Sequence, residues 1–80
     1  MATTKITLTT TWQELTAYGF VGQMESGETL LLRNDTESPT AGDAFHEVND
    51  TENLQYPAPA TGSWYARVPY GESDITITEV

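Results

Sequence analysis

Strict alternation of apolar and polar residues at both ends of the chain is the feature that most constrains its fold. Residues 6–9 read Ile-Thr-Leu-Thr, and residues 75–80 read Ile-Thr-Ile-Thr-Glu-Val. Because successive side chains leave an extended backbone on opposite faces, this period is typical of a half-buried strand. We expect both ends to be woven into a sheet, so that the chain forms one compact block without a tail for a signal, a linker or a binding arm.

Short β-prone segments separated by turn-forming residues fill the sequence between these ends. We predict strands at 19–24, 29–33, 45–48, 54–56 and 63–68, and we interpret 11–18 as a strand or a bend. A turn at 25–28 is expected to join the first two of these strands as a β-hairpin, and 34–43 to form a surface loop. The pattern predicts an all-β fold, a small antiparallel β-sandwich or barrel (jelly-roll-like) of seven or eight short strands.

The length of the chain allows a single β domain over residues 1–80. A domain of this size buries only roughly 60% of the surface that its unfolded chain exposes, so its core gives thin stability. The sequence has no cysteine, which excludes disulfides and thiolate metal sites, and only one histidine, His46. Self-association is the remaining way to add stability, and we expect a homo-oligomer.

The charge balance is strongly acidic. Twelve acidic residues against three basic ones give a formal net charge of -9. Phosphate backbones and anionic membrane surfaces would repel such a domain, so we expect neither nucleic acid nor membrane as a partner. The acidity favours solubility, or docking on a basic protein surface. No signal-peptide pattern or apolar run of membrane-spanning length is present, so we expect synthesis in a cytoplasm.

The sequence lacks the parts of a catalytic site, and we predict that the protein is not an enzyme and holds no cofactor. It has no cysteine nucleophile, Gly-rich phosphate loop or nucleophile elbow. Asn-Asp-Thr-Glu occurs at 34–37 and again at 49–52, but neither copy has the ladder of a calcium loop, so two similar turns are the better interpretation. We expect His46 to face solvent; the alternative is that three copies meet on one metal ion at a symmetry axis.

Apolar residues that alternation cannot bury are more informative. Leu30, Leu31 and Leu32 place leucine on both faces of one strand, and Trp64 and Tyr65 point in opposite directions. Two packed sheets with loops over their outer faces would cover these side chains. We favour the alternative that Leu31, Tyr65 and Arg67 form a contact between protomers, because aromatic residues beside an arginine are common in interfaces.

Four segments of the chain resemble small virion structural proteins of tailed bacteriophages. They are residues 38–44 (Ser-Pro-Thr-Ala-Gly-Asp-Ala), 64–67 (Trp-Tyr-Ala-Arg), the closing strand 75–79, and 11–15 (Thr-Trp-Gln-Glu-Leu). The stretch 49–62 departs from the pattern, since a Glu-containing turn and two prolines replace the Pro-Gly-Glu turn expected there.

The resemblance implies a small β module, often trimeric, that decorates a capsid, forms part of a head or tail fibre, or adapts one virion component to another. Its expected partners are copies of itself and other virion proteins such as the major capsid protein, and its expected location is the virion. It carries over no site residues.

A second class of function stays open, namely a free acidic binding module that inhibits a host protein. Mimicry of nucleic acid would require carboxylates spaced like phosphates along one face. In this sequence the carboxylates cluster in predicted turns, which favours the structural protein.

Overall fold

A computed structural model describes residues 3–24, 29–40 and 42–80, and the described chain consists of strands and their connections. The strands are β1 (Thr3–Leu8), β2 (Gln13–Thr16), β3 (Phe20–Met24), β4 (Leu30–Asp35), β5 (His46–Val48), β6 (Leu54–Tyr56), β7 (Ser63–Arg67) and β8 (Ser73–Glu79). The predicted all-β class is confirmed. Within these residues no helix is long and apolar enough to cross a membrane.

The strands form two four-stranded antiparallel sheets. Sheet 1 has the order β1-β8-β3-β6, and sheet 2 has the order β2-β7-β4-β5. The first strand pairs with the last, the second with the seventh, the third with the sixth and the fourth with the fifth. Successive pairs alternate between the sheets, as if one long hairpin were rolled up, and this is the topology of a jelly roll.

The two ends of the described chain pair with each other, so the prediction of a strand at each end is confirmed. The β1–β8 register runs from Thr3 opposite Thr78 to Leu8 opposite Ser73. In β8, Ile75 and Ile77 face the other sheet, while Thr76 between them faces outwards. The alternation read from the sequence therefore corresponds to an inner and an outer face.

The predicted hairpin between 19–24 and 29–33 is wrong. β3 pairs with β6 and β8 in sheet 1, whereas β4 pairs with β5 and β7 in sheet 2. At the end of β3, the amide of Met24 donates to the carbonyl oxygen of Thr51 at 2.8 Å. The predicted turn 25–28 lies outside the described residues. Turn-forming residues indicate where a chain reverses, but the strands on either side can enter different sheets when each has an apolar face to bury against the other sheet.

The core lies between the two sheets. Leu30 and Leu32 enter it from sheet 2, and Phe20 enters it from sheet 1. Phe20 stacks against Tyr56 with ring centroids 5.5 Å apart. At the β5–β6 side of the sandwich, the ring centroids of Tyr56 and Trp64 are 5.4 Å apart. The buried cluster comprises Leu8, Leu15, Phe20, Met24, Leu30, Leu32, Leu54, Ala66, Val68, Ile75 and Ile77.

Candidate contact surface on the outer face of sheet 2

The three residues predicted to form an interface lie on neighbouring strands of sheet 2. Leu31 of β4 is directly opposite Arg67 of β7, and Tyr65 of β7 is directly opposite Arg33. Residues directly opposite in an antiparallel pair share a face. Because Leu32 and Ala66, their neighbours in sequence, belong to the core, Leu31, Tyr65 and Arg67 lie on the outer face. The structure therefore brings the three predicted residues together on one surface.

Leu31 is covered by its own chain. Its side chain is only 3% exposed, although it does not belong to the core cluster between the sheets. Its register partners are Arg67 on one side and Glu47 of β5 on the other. Leu31 thus offers almost no area to a partner, and the accessible part of the surface consists of its neighbours.

Arg67 lies against two aromatic rings that are side by side. Its guanidinium carbon lies 5.2 Å from the ring centroid of Trp12 and 5.5 Å from that of Phe45. The two ring centroids are 6.3 Å apart, and the indole nitrogen of Trp12 donates to the carbonyl oxygen of Thr40 at 3.2 Å. Trp12 is 7% exposed and Phe45 is 42% exposed. We call this arrangement of Trp12, Arg67 and Phe45 the arginine clamp.

The electrostatic environment of Arg67 differs from that of the other two basic side chains. Lys5 pairs with Asp74 at 3.4 Å, and Arg33 pairs with Asp35 at 2.9 Å. Among residues 3–24, 29–40 and 42–80, no carboxylate forms an ion pair with Arg67. Its Nε is buried and has no hydrogen-bond partner there. The favourable contacts of this charge with the described chain are therefore those with the ring faces.

The loop that delivers Phe45 is fixed by polar contacts. Arg33 donates from Nε to Asp35 at 2.9 Å and from a terminal nitrogen to the carbonyl oxygen of Ala44 at 2.7 Å. The amide of Thr40 donates to the carboxylate of Asp43 at 2.8 Å. Ala44 directly precedes Phe45 in the sequence, so these contacts position the ring of Phe45 in the arginine clamp.

Tyr65 adds a hydrogen-bond donor to the same face. Partial burial raises the pKa of its hydroxyl above the ordinary value of 10.0, and the nearby carboxylates of Glu14, Asp35 and Glu37 raise it further. The phenol is therefore protonated at neutral pH, so it can donate to an acceptor on a partner.

The sequence predicts Leu31, Tyr65 and Arg67 as contact residues but gives no such role to Trp12 and Phe45, which contact Arg67. Trp12 belongs to the segment predicted as a strand or a bend, and it lies just before β2. Phe45 lies just before β5. No local spacing relates either residue to Arg67, because the contacts form only when the sheet and its loops assemble. The one available signal was that both are large aromatic residues at strand boundaries.

Two other surfaces have a concave shape. Adjoining clefts of about 330 and 530 Å³ lie at the β5–β6 side of the sandwich and share Leu32, His46 and Trp64. A groove of about 450 Å³ lies on sheet 1 beside Val21 and Gln55. No group of three or more acidic or histidine side chains that could hold a metal ion occurs in the described part of the chain, and His46 is exposed.

The carboxylate of Asp35 gives a pH-dependent prediction. A hydrogen bond from Arg33 holds its pKa below the ordinary value of 3.8, and the amides of Glu37 and Thr36 also lower it, against a smaller opposing effect of burial. Because the pKa of Asp35 is lower in the folded state, its ionised carboxylate stabilises the fold at pH values above its pKa in the unfolded chain. This contribution is lost as the pH falls below 3.8 and through the pKa of the folded state. We therefore expect D35N to lower the urea midpoint at pH 7 and to lower it less at pH 3.

E52Q is the matched control for D35N, since it removes one carboxylate from an exposed side chain. Midpoints measured at pH 7, 5 and 3 should show a D35N effect that shrinks with acidification and an E52Q effect that stays small. An effect of D35N that is equal at all three pH values would contradict the role of the Arg33 contact.

Comparison with known proteins leaves the chain without a match. No protein-family model, curated protein or solved structure matches it.

Proposed function

We propose that the protein is a structural component of a bacteriophage virion that associates with itself and docks on the particle surface. It acts as a capsid-decoration protein or as a fibre or adaptor module and catalyses no reaction. The observation that carries the proposal is the outer face of sheet 2, where the arginine clamp, with its partly exposed Phe45, lies beside the half-buried Tyr65.

The composition of this face supports a contact function. Aromatic and arginine side chains are enriched in the centres of protein interfaces, and a few such residues usually carry most of the binding energy. Phe45 is 42% exposed, and covering its ring would remove apolar surface from water.

The architecture supports the same proposal at a coarser level. Jelly rolls occur in viral capsid domains and also in lectins and cupins. A fold of this kind hosts many functions, so it is compatible with a virion protein without assigning one. The resemblance of four sequence segments to phage virion proteins points to the first of these uses.

Size-exclusion chromatography with light scattering tests the self-association. The chain has a mass of 8.8 kDa, and we expect the particle at micromolar concentration to have three times this mass. A particle with the mass of one chain would contradict self-association.

An immunoblot of gradient-purified virions, compared with host lysate, tests the location. We expect the protein to band with intact particles. Recovery from the lysate in complex with a single host protein, and not from virions, would instead favour the acidic inhibitor.

A further inference from the structure

We propose that the arginine clamp is a carboxylate-binding site through which each copy of the chain holds an acidic side chain of its neighbour. This inference rests on the self-association proposed above and names the chemistry of the contact. The neighbouring copy supplies an Asp or Glu carboxylate, and the terminal nitrogens of Arg67 bind it.

The first support is the distribution of opposite charges. The chain has twelve acidic residues and three basic ones, so every basic side chain has many potential partners. Lys5 and Arg33 each pair with a carboxylate of their own chain. Arg67 pairs with none of the described ones, although Glu14, Asp35 and Glu37 lie near Tyr65, two residues away in the sequence. Within the described residues this cation has no carboxylate partner, so it is available to a carboxylate from outside.

The second support is the way in which the guanidinium is held. Trp12 and Phe45 both contact it, with ring centroids 5.2 and 5.5 Å from its central carbon, and so restrict its motion. Nε is buried, which leaves the two terminal nitrogens as the end that a ligand reaches. Planar guanidinium and carboxylate groups match as paired donors and acceptors. A side chain that is already ordered loses less entropy when it binds.

The third support concerns the occupant. Glu37, Glu47, Asp50 and Glu52 are exposed, and none of them pairs with a basic side chain of the described chain. A second copy therefore presents several free carboxylates. In a cyclic trimer each interface joins two different surfaces, so every copy can give one Arg67 and one carboxylate.

The size of the molecule is sufficient for such a contact. The molecule measures 30 × 28 × 18 Å along its principal axes. Its two broad faces are therefore large enough for the roughly 800 Å² per partner that a stable interface buries. Because the copies repel one another through their net charge, a local attraction has to offset this repulsion, and Arg67 supplies it.

Sedimentation-equilibrium measurements on R67Q and K5Q test the proposal. Both substitutions remove one positive charge, so they increase the repulsion between copies equally. Only R67Q removes the clamp. Truncating one partner of a charge pair within an interface strongly weakens binding, so we expect the dissociation constant of R67Q to rise about tenfold or more relative to K5Q, and that of K5Q to stay near wild type.

R67K provides a second variant that keeps the charge. A lysine cannot stack as a plane on an aromatic ring or present paired donors, so we expect an intermediate weakening of about threefold or more. Circular dichroism at the same concentrations establishes that each variant is folded. If R67Q does not fold, the dissociation constant of R67K compared with that of wild type tests the carboxylate site.

The outcomes separate this inference from the proposed function. If R67Q forms oligomers as stable as those of K5Q, the carboxylate site is overturned and self-association stays intact. Where R67Q does not fold, the same conclusion follows from R67K oligomers of that stability. A monomeric wild type overturns both self-association and this inference. A wild type that is monomeric in solution but binds virions through Arg67 also overturns the second copy as occupant, since the carboxylate then belongs to another virion protein.

Discussion

Leu31→Asp is expected to leave most of the chain unfolded at 25 °C. Leu31 is 3% exposed, so the substitution removes a buried apolar side chain and places a carboxylate where water barely reaches. The nearest basic side chain by register is Arg67, whose guanidinium lies against Trp12 and Phe45. Losing the leucine and burying a carboxylate, even beside Arg67, together cost roughly 5 kcal/mol or more. This is comparable with the whole stability of a small domain.

Val21→Asp is the matched control, because it makes the same change of charge on the outer face of sheet 1, where Val21 is 38% exposed. We expect V21D to retain the β-sheet signal in circular dichroism and to lose at most about 1 kcal/mol of unfolding free energy. A folded L31D variant with a wild-type urea midpoint would show that Leu31 is surface available to a partner. That was one of the two interpretations that the sequence left open.

Gly62→Ala is expected to lower the unfolding free energy by about 3 kcal/mol. Gly62 has a φ of 73°, which costs other L-residues about 1–2 kcal/mol. A Cβ there would also overlap the carbonyl group of Asp35 and lie 2.8 Å from Cα of Thr36. Backbone cannot rotate away as a side chain can, and overpacking adds about 1–3 kcal/mol.

The close approach at Gly62 is held by the side chain of Asn34. Its amide nitrogen donates to the carbonyl oxygens of Thr61 and Ser63, at 3.0 Å in each case. The turn before β7 is thereby tied to the end of β4. An alanine at Gly62 must separate these segments or distort both of them.

Gly71→Ala separates the two contributions. Gly71 has a φ of 70°, but nothing lies within 4 Å of the position of its Cβ. We expect a loss of only about 1 kcal/mol, from the backbone conformation alone. Urea denaturation of both variants measures the difference, and equal losses would mean that the contact with Asp35 relaxes without cost.

Secondary structure was largely predictable because the relevant signals are local. The last strand, predicted from its β-branched alternation, is β8, and the segment predicted at 54–56 is β6 at the same residues. Turn-forming residues and prolines correctly separated the strands, since they act through the backbone of their own neighbourhood.

The sheet to which each strand belongs was not predictable, because local signals do not identify a strand's neighbours. The segments on either side of residues 25–28 have the appearance of a hairpin, yet β3 and β4 lie in different sheets. Their hydrogen-bond partners are β6 and β8 for one and β5 and β7 for the other. Alternation indicates that a strand has an apolar face, but it does not indicate which strand lies beside it.

The sequence by itself determined that this chain is an all-β domain, because residue alternation, turn chemistry and charge act over a few residues and need no tertiary context. It also singled out Leu31, Tyr65 and Arg67, and the period of two placed Tyr65 and Arg67 on one face of their strand. Only the tertiary structure decided that Leu31 lies beside Arg67 and is covered, that Trp12 and Phe45 contact Arg67, and that the strands are rolled into a jelly roll. These features depend on contacts between residues distant in sequence, and such contacts exist only after both sheets and their loops have packed together.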